Sequence, residues 1–323
     1  MKPTSFFVRV FLGICMAATA TLSSGQAYPT KPIRVLVGFP PGGGTDMLAR
    51  SMGIELSKAL GQPVVIDNKG GANGVIATAE LAKAAPDGHT LMMTISSHVT
   101  NVLLYPKLSY ELKDFQPISL VATSPFVLLA HPAFPPNTVQ ELVALAKKEG
   151  RKVNFGSPGA GSTQHLSVEL MDVMAGIEMT HIPYKGGAPA LNDLLAGQVP
   201  LMFLTTVQSL PYLKDKRVKA LAVSTAKRTP VLPDVPTIAE SGVPGYESDV
   251  WFGFIAPAGT PQPIVDRLHA EIVRIVKTPE MQKNFAQQGA EAVGNTPDQF
   301  AKLIRDEHTK WAALFKRTGI KAE

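Results

Sequence analysis

Two glycine-rich stretches that share one pattern constrain this chain more than any other feature. The first turn is FPPGGGTD, from Phe39 to Asp46, and the second turn is SPGAGST, from Ser157 to Thr163. Each follows an apolar run typical of a strand and precedes a run with helical spacing. A glycine turn at that junction leaves backbone N–H groups free at a helix N-terminus, where the helix dipole attracts an anion. The pair predicts two lobes, each offering an anion site.

Either stretch alone is also consistent with an ordinary tight turn, because glycine tolerates unusual backbone angles anywhere. The repetition in similar context favours the anion-binding interpretation. When Pro41 is aligned with Pro158, both stretches read Pro, Gly, small residue, Gly, and Thr45 aligns with Ser162.

Length, composition and charge narrow the class of protein. The chain has 323 residues, of which 45% are hydrophobic and 18% charged, so two packed domains are expected and disorder is not. Its formal net charge is only +5, and the basic residues are scattered without interleaved aromatics. A nucleic-acid partner is therefore not expected.

The N-terminus has the pattern of a secretory signal peptide covering residues 1–27. Lys2 and Arg9 precede a short apolar run at 10–22, and small residues then stand before a cleavage point after Ala27. A membrane anchor would need about 20 apolar residues, and lipidation at Cys15 would need a small residue where Ile14 stands. Cys15 is the only cysteine, so the mature chain has no disulfide, and we expect export to a bacterial periplasm.

Alternating strand and helix patterns predict an α/β fold with two lobes and a cleft between them. Early strands are expected at 33–37, 64–66 and 90–95, with helices between them, which favours parallel sheets with right-handed crossovers. Extended apolar runs at 118–130 and 251–256 are interpreted as passages between lobes. The predicted first lobe comprises 28–124 and 249–323, and the second 125–248, each a mainly parallel sheet flanked by helices.

No catalytic pattern stands out in the sequence. It lacks the histidine spacing of metalloproteases, the nucleophile elbow, the phosphate loop and the dinucleotide fingerprint. We therefore expect no enzyme activity, no cofactor and no metal.

Individual polar residues near the turns allow two interpretations each. His165 could orient the second turn through its backbone or contact a ligand. Asp46 could complement the helix dipole or face the cleft. Tyr184 and Lys185 could offer a hydroxyl and a cation, or Lys185 could be solvated. Ser97 follows a predicted strand, at the carboxyl edge where ligands bind in open α/β sheets.

Several motifs together resemble the Bug-type, TctC-like extracytoplasmic solute receptors of tripartite tricarboxylate transporters. These motifs cover 39–46, 158–166, 181–187, 233–242, 251–253 and 256–261. The resemblance implies a type II-like periplasmic binding protein, a monomer that closes on a small carboxylate and presents it to membrane transporter subunits. It also implies that the two turns grip the carboxylate as a pincer. Many relatives carry an acidic or amide residue where this chain has Leu204 and Thr205. The resemblance therefore does not predict the contacts at the far end of the pocket.

The resemblance and the turn geometry together give one set of predicted ligand-binding residues. The resemblance assigns Phe39, Gly43, Thr45, Asp46, Gly159, Gly161, Ser162, Thr163 and His165. Position beside the turns or at strand ends adds Gly44, Ser97, Ser157, Tyr184 and Thr205. Two other functions stay open at this stage: a periplasmic sensor that docks a signalling kinase, and an enzyme of unrecognised type.

Overall fold

The computed structural model describes residues 28–184 and 186–320. Largely buried strands form the frame of the protein. The strands are β1 (Ile33–Val37), β2 (Val64–Asn68), β3 (Thr90–Ile95), β4 (Phe115–Ala130), β5 (Asn154–Ser157), β6 (Thr180–Pro183), β7 (Leu201–Thr205), β8 (Lys219–Val223), β9 (Asp249–Pro257) and β10 (Glu291–Ala292). Signal-peptide residues 1–27 lie outside the described residues, so that prediction is not tested by the fold.

Helices connect most of these strands and cover the sheet. They are α1 (Gly44–Leu60), α2 (Val75–Ala82), α3 (Ser97–Leu104), α4 (Val139–Glu149), α5 (Thr163–Ala175), α6 (Gly187–Leu195), α7 (Thr206–Lys214), α8 (Gln262–Val276), α9 (Pro279–Gln287) and α10 (Pro297–Thr318). None of the helices among the described residues is both long and apolar enough to cross a membrane.

Local sequence explains where several helices begin and end. Gly61 ends α1 in the left-handed region at φ 69°, which glycine adopts without the steric cost of a Cβ. Thr296 and Gln299 form a reciprocal capping box at the start of α10. The segment from Ser96 to Asn101 follows β3 at the carboxyl edge of the sheet, and all of it except Ser96 belongs to α3.

Strand β4 runs through both halves of a single sheet with the order β2-β1-β3-β9-β4-β7-β5-β6, and β9 pairs beside it in the first half. We call β4 and β9 the crossing strands, because the chain passes between the predicted lobes at these two strands. Neighbours on the first side, β2, β1 and β3, are parallel, and so are β6, β5 and β7 on the second side. Between them β4 and β9 pair antiparallel over most of their length. The predicted α/β class is confirmed, and the sheet is mixed because the two crossing strands run in opposite directions.

The predicted lobe boundaries fall on the two crossing strands. The predicted boundary at 248/249 coincides with the start of β9, and the boundary at 124/125 lies inside β4. These limits stay a prediction, since β4 pairs in both halves of the sheet and has no unique point of division. Below, the first lobe means the predicted 28–124 and 249–320, and the second lobe 125–248.

One apolar cluster joins the two lobes directly. Leu166 of α5 is fully buried in a cluster whose other members, such as Trp311 and Leu314 of α10, lie in the first lobe. Leu170 and Val173 of α5 pack against the same cluster. Helix α5 therefore contacts the first lobe along its length, and the lobes are closed on each other.

Candidate ligand-binding cleft

In both lobes a helix begins directly after a strand ends, and these helix N-termini lie in one region of the molecule. In the first lobe β1 leads through the first turn to α1, and the parallel neighbour β3 leads to α3. In the second lobe β5 leads through the second turn to α5, and its parallel neighbour β7 leads to α7. Parallel neighbours end at the same sheet edge, so each lobe presents a pair of helix N-termini there.

Direct contacts bring these two edges together. The hydroxyl groups of Ser96, at the end of β3, and Thr163, at the start of α5, lie 3.2 Å apart and are both buried. Leu104 of α3 lies against Gly161, because a Cβ built on that glycine would be 2.0 Å from the Leu104 Cδ2. The second turn therefore faces the carboxyl edge of the first lobe.

The first turn is held by one carboxylate. Asp46 is 3% exposed and accepts hydrogen bonds from Gly42 N at 2.9 Å, Asn68 Nδ2 at 3.0 Å and Arg50 Nε at 3.0 Å. Burial acts to raise the pKa of Asp46, but these bonds outweigh it and hold the pKa below its ordinary value. Asp46 is therefore paired with Arg50 and shapes the turn, and this pairing reduces the repulsion between its carboxylate and an anion.

Backbone donors at the start of α1 remain available. Gly43 is the N-cap residue and has no side-chain cap, while its carbonyl accepts from Met47 N at 3.0 Å. The helix geometry leaves the first N–H groups of α1, including those of Gly44 and Thr45, without a partner inside the helix. Gly44 is exposed. These donors, with the helix dipole behind them, can bind an anion.

The second turn is held by hydroxyl and imidazole groups instead. The Ser162 hydroxyl accepts from His165 N at 3.3 Å and donates to the Gly159 carbonyl at 2.8 Å. Gly161 N donates to His165 Nδ1 at 3.0 Å, and Gly159 N donates to the Ser157 hydroxyl at 3.1 Å. The side chain of His165 therefore orients the backbone of the turn.

Two stacked histidines support this network from behind. The rings of His165 and His181 are 3.7 Å apart at an interplanar angle of 12°, and His181 Nε2 lies 2.6 Å from the Ser157 hydroxyl. Burial, together with the neighbouring His165, lowers the pKa of His181 to about 3. His181 is therefore neutral at pH 7 and acts as a hydrogen-bonding support.

A small cavity lies between the lobes in front of the crossing strands. We call it the cleft cavity; its volume is about 20 Å³, and it is lined by Gly44, Met47, Leu48, Ser124, Thr205, Phe252, Gln288 and Ala290. It joins a residue of the first turn to Thr205 at the end of β7. This volume suits one water-sized molecule, so an organic ligand enters only when the lobes separate.

A larger cavity lies on the other face of the crossing strands. It measures about 570 Å³ and is lined by Thr123, Pro125 and Asp249 among others. Neighbouring strand residues point to opposite faces, so Thr123 and Pro125 face away from Ser124, which lines the cleft cavity. The larger cavity therefore lies on the opposite side of β4 from the cleft cavity. No residue of either glycine turn lines it.

Several predicted residues are occupied by other partners. The Tyr184 hydroxyl donates to Asp193 at 2.7 Å, and the Ser97 hydroxyl donates to the Asn73 carbonyl at 3.1 Å. Phe39 contributes its carbonyl to Asn68 Nδ2 at 3.0 Å. Lys185 lies outside the described residues. Contact between each of these predicted residues and a ligand stays a prediction.

The sequence missed residues that complete the cleft. Ser96 adjoins the predicted Ser97, and strand-end position is a signal that also indicates it. Ser124, Phe252 and Gln288 come from the crossing strands and the end of α9, and no local pattern marks them. The start of α7 behind Thr205 was not predicted as a helix. Among residues 28–184 and 186–320, acidic, histidine and cysteine side chains form no cluster able to hold a metal ion.

Comparisons with known proteins give a consistent result. Residues 48–320 match the family described as "Tripartite tricarboxylate transporter family receptor". The chain is 37% identical to protein BugT of Bordetella pertussis, over 99% of each chain. It is 38% identical to Rpa4515 of R. palustris, solved with adipate, covering 92% of this chain and 100% of that one with a TM-score of 0.84. MatC of Rhodopseudomonas palustris, solved with malate, is 35% identical over 89% and 99%, with a TM-score of 0.79.

Proposed function

Because the chain belongs to the tripartite tricarboxylate transporter receptor family, we propose that it captures a small organic carboxylate between its lobes and delivers it to a membrane transporter. Membership itself confirms the family resemblance seen in the motifs. It also makes the chain a solute-binding protein of a periplasmic receptor family, and not an enzyme. The ligand, the pincer, the periplasmic location of this chain and its transporter are the proposal.

The convergence of the two lobes at the glycine turns carries the proposal. Ser96 and Thr163 join the lobes at 3.2 Å, and Gly44 and Thr205 line one cavity. Helix N-termini from both lobes thus surround a site where the nearby carboxylate, Asp46, is already paired with Arg50. An anion is the ligand that this arrangement stabilises.

Binding energy comes from hydrogen bonds made as water leaves the cleft. Backbone N–H groups and small hydroxyls donate to the carboxylate, and such charge-assisted bonds are shorter and stronger than neutral ones. Closure lowers the local dielectric and strengthens them further. The contacts Ser96–Thr163 and Leu104–Gly161 join the two lobes, so they contribute to the stability of the closed form.

Two relatives solved with bound ligands indicate the ligand class. Rpa4515 was solved with adipate and MatC with malate, and both are small carboxylates. By analogy the pincer of this chain holds at least one carboxylate group. The transporter role follows the family description, and we propose a monomeric receptor that meets membrane subunits transiently.

Calorimetric titration tests whether a carboxylate is required. The purified protein is titrated with adipate, malate, hexanoate and 6-hydroxyhexanoate, each paired with its uncharged amide. We expect at least one carboxylate to bind at least 100-fold more tightly than its amide, about 2.7 kcal/mol. Equal binding of acid and amide, or no binding of any acid, would refute the proposal.

A second experiment addresses the transporter. Uptake of the bound carboxylate, measured with a radiolabelled probe, should be lost in cells lacking the gene and restored by the wild-type gene. Unchanged uptake together with intact binding would favour a sensor instead.

A further inference from the structure

The loop between β2 and α2, residues 70–74, has an unusual backbone conformation. Four successive residues have a positive φ: Gly71 at 133°, Ala72 at 46°, Asn73 at 54° and Gly74 at 92°. Glycine takes such angles freely, whereas they are uncommon for residues that carry a Cβ. Backbone strain of this kind persists only where the surrounding contacts impose it. The contacts of Asn73 therefore indicate what the loop is held for.

Side chains on the first turns of α3 hold the loop in this conformation. The Asn73 carbonyl accepts hydrogen bonds from Ser97 Oγ at 3.1 Å and from Asn101 Nδ2 at 3.0 Å. In the opposite direction, Asn73 Nδ2 donates to Asn101 Oδ1 at 3.2 Å. Asn101 is 1% exposed, so its amide is kept from water and a lost bond would not be replaced there. Three hydrogen bonds thus fix Asn73 against α3.

The same loop lies against the beginning of the first turn. A Cβ built on Gly38 would be 2.7 Å from Gly74 Cα, and one built on Gly70 would be 3.3 Å from Pro40 Cδ. A Cβ on Gly74 would be 3.7 Å from the ring of Phe39. The loop and the first turn are therefore in direct contact, and a shift of the loop displaces the turn.

Helix α3 also meets the second turn. Its last residue, Leu104, covers Gly161. Ser96, directly before its first residue, has its hydroxyl 3.2 Å from that of Thr163. One helix thus contacts the second turn directly and the first turn through the loop at 70–74.

Building on the proposed function, we propose that Asn73 and Asn101 are positioning residues for ligand binding, whose paired amides hold the first turn in place relative to the second. Their hydrogen bonds exist before the ligand arrives, so the N–H donors of the first turn are already arranged for a carboxylate. Arranging donors in advance strengthens binding because less motion is lost when the ligand binds. In this proposal the Ser97 hydroxyl belongs to the same support.

Two variants remove the support, and calorimetry measures their affinity for the carboxylate that wild type binds most tightly. Asn101→Leu keeps a side chain of similar size and removes both amide partners of Asn73. Asn73→Ala leaves a Cβ at φ 54° without the amide bond. Each should weaken binding about 10-fold. Asn192→Leu, the same replacement at an exposed position of α6, is the control and should leave the affinity unchanged.

Asn73→Gly separates the backbone conformation from the side chain. Glycine adopts a positive φ without strain and keeps the carbonyl that Ser97 and Asn101 bind. Its affinity should stay within about threefold of wild type, even where its melting temperature falls. Combined with Asn101→Leu, it should bind the carboxylate about threefold more tightly than Asn101→Leu alone. Such a rescue of affinity is not expected if the bonds only stabilise the fold.

The inference is overturned if Asn101→Leu and Asn73→Ala melt at lower temperature but bind as tightly as wild type. It is overturned as well if Asn73→Gly binds as weakly as Asn73→Ala. Should Asn101→Leu fail to fold, the comparison of glycine with alanine at half-exposed Asn73 still decides the outcome. In each of these cases the carboxylate receptor stands, whereas a wild-type protein that binds no acid refutes both proposals.

Discussion

The two glycine turns share a sequence pattern but are stabilised by different chemistry. The first is shaped by an ion pair, in which Asp46 binds Arg50 and the Gly42 amide. The second is shaped by an imidazole and a hydroxyl, from His165 and Ser162. The shared pattern therefore marks where a helix begins. Different side chains stabilise the turn in each lobe.

Their surroundings differ as well. Gly44 of the first turn is exposed, and a Cβ built on it would meet nothing within 4 Å. Gly161 of the second turn is buried beneath Leu104 of the other lobe. The first turn is complete within its own lobe, whereas the second reaches its final environment only when the lobes close. Three predictions test this contrast.

The largest effect is expected from Gly161→Val. Gly161 has φ +71°, a conformation that L side chains rarely adopt, and its Cβ would lie 2.0 Å from Leu104 Cδ2. Strain of about 1–3 kcal/mol together with the clash should oppose closure and weaken binding of the tightest carboxylate about 100-fold or more. Calorimetry measures the affinity.

Gly176→Val at the end of α5 is the matched control, because Gly176 also has a positive φ, +64°, and a Cβ there would meet nothing within 4 Å. It should carry similar backbone strain and leave the affinity unchanged. An unchanged affinity in Gly161→Val would remove the second turn from the binding site.

An intermediate effect is expected on acidification, which should weaken the second turn before the first. The pKa of His181 is lowered to about 3 by burial and by His165, whereas an unfolded histidine titrates near 6.5. Its contribution to stability is thus full above pH 6.5 and is lost as the pH falls towards 3. Between pH 7 and 4 the melting temperature should fall by about 2 °C more in wild type than in His181→Gln.

His308→Gln on α10 is the control for removal of one imidazole and should behave as wild type. Parallel melting curves for wild type and His181→Gln across this pH range would contradict the role given to His181.

The smallest effect is expected from Asp46→Asn. The lowered pKa of Asp46 means that its contribution is present above the ordinary carboxyl pKa of about 3.9 and is lost as the pH falls below it. Replacement at pH 7 removes a charged hydrogen-bonding partner of half-exposed Arg50 and should lower the free energy of unfolding by about 1–2 kcal/mol. Chemical denaturation measures it.

The difference between Asp46→Asn and wild type should shrink as the pH falls below about 3.9 towards the lowered pKa of Asp46. Full binding with lower stability would agree with a positioning role for Asp46. A constant difference at every pH would show that the charge of Asp46 is not what stabilises the first turn.

Much of the fold and part of the site follow from local patterns. Apolar runs, helix caps and the glycine turns predict most of the strands, the starts of α1 and α5, and the two-lobed α/β class. Helix α7 escaped prediction because it begins at Thr205–Thr206 without a glycine turn and contains Pro211. Local signals are short-range, and such a helix gains its stability from packing against the sheet.

The sequence by itself determined that two helix N-termini, preceded by glycine turns, exist in separate lobes. Only the tertiary structure decided that Ser96 meets Thr163, that Leu104 covers Gly161 and that Gly44 and Thr205 line one cavity. These contacts join residues far apart in the chain, so their chemistry depends on how the sheet and the crossing strands bring the lobes together. No pattern within a single segment encodes them.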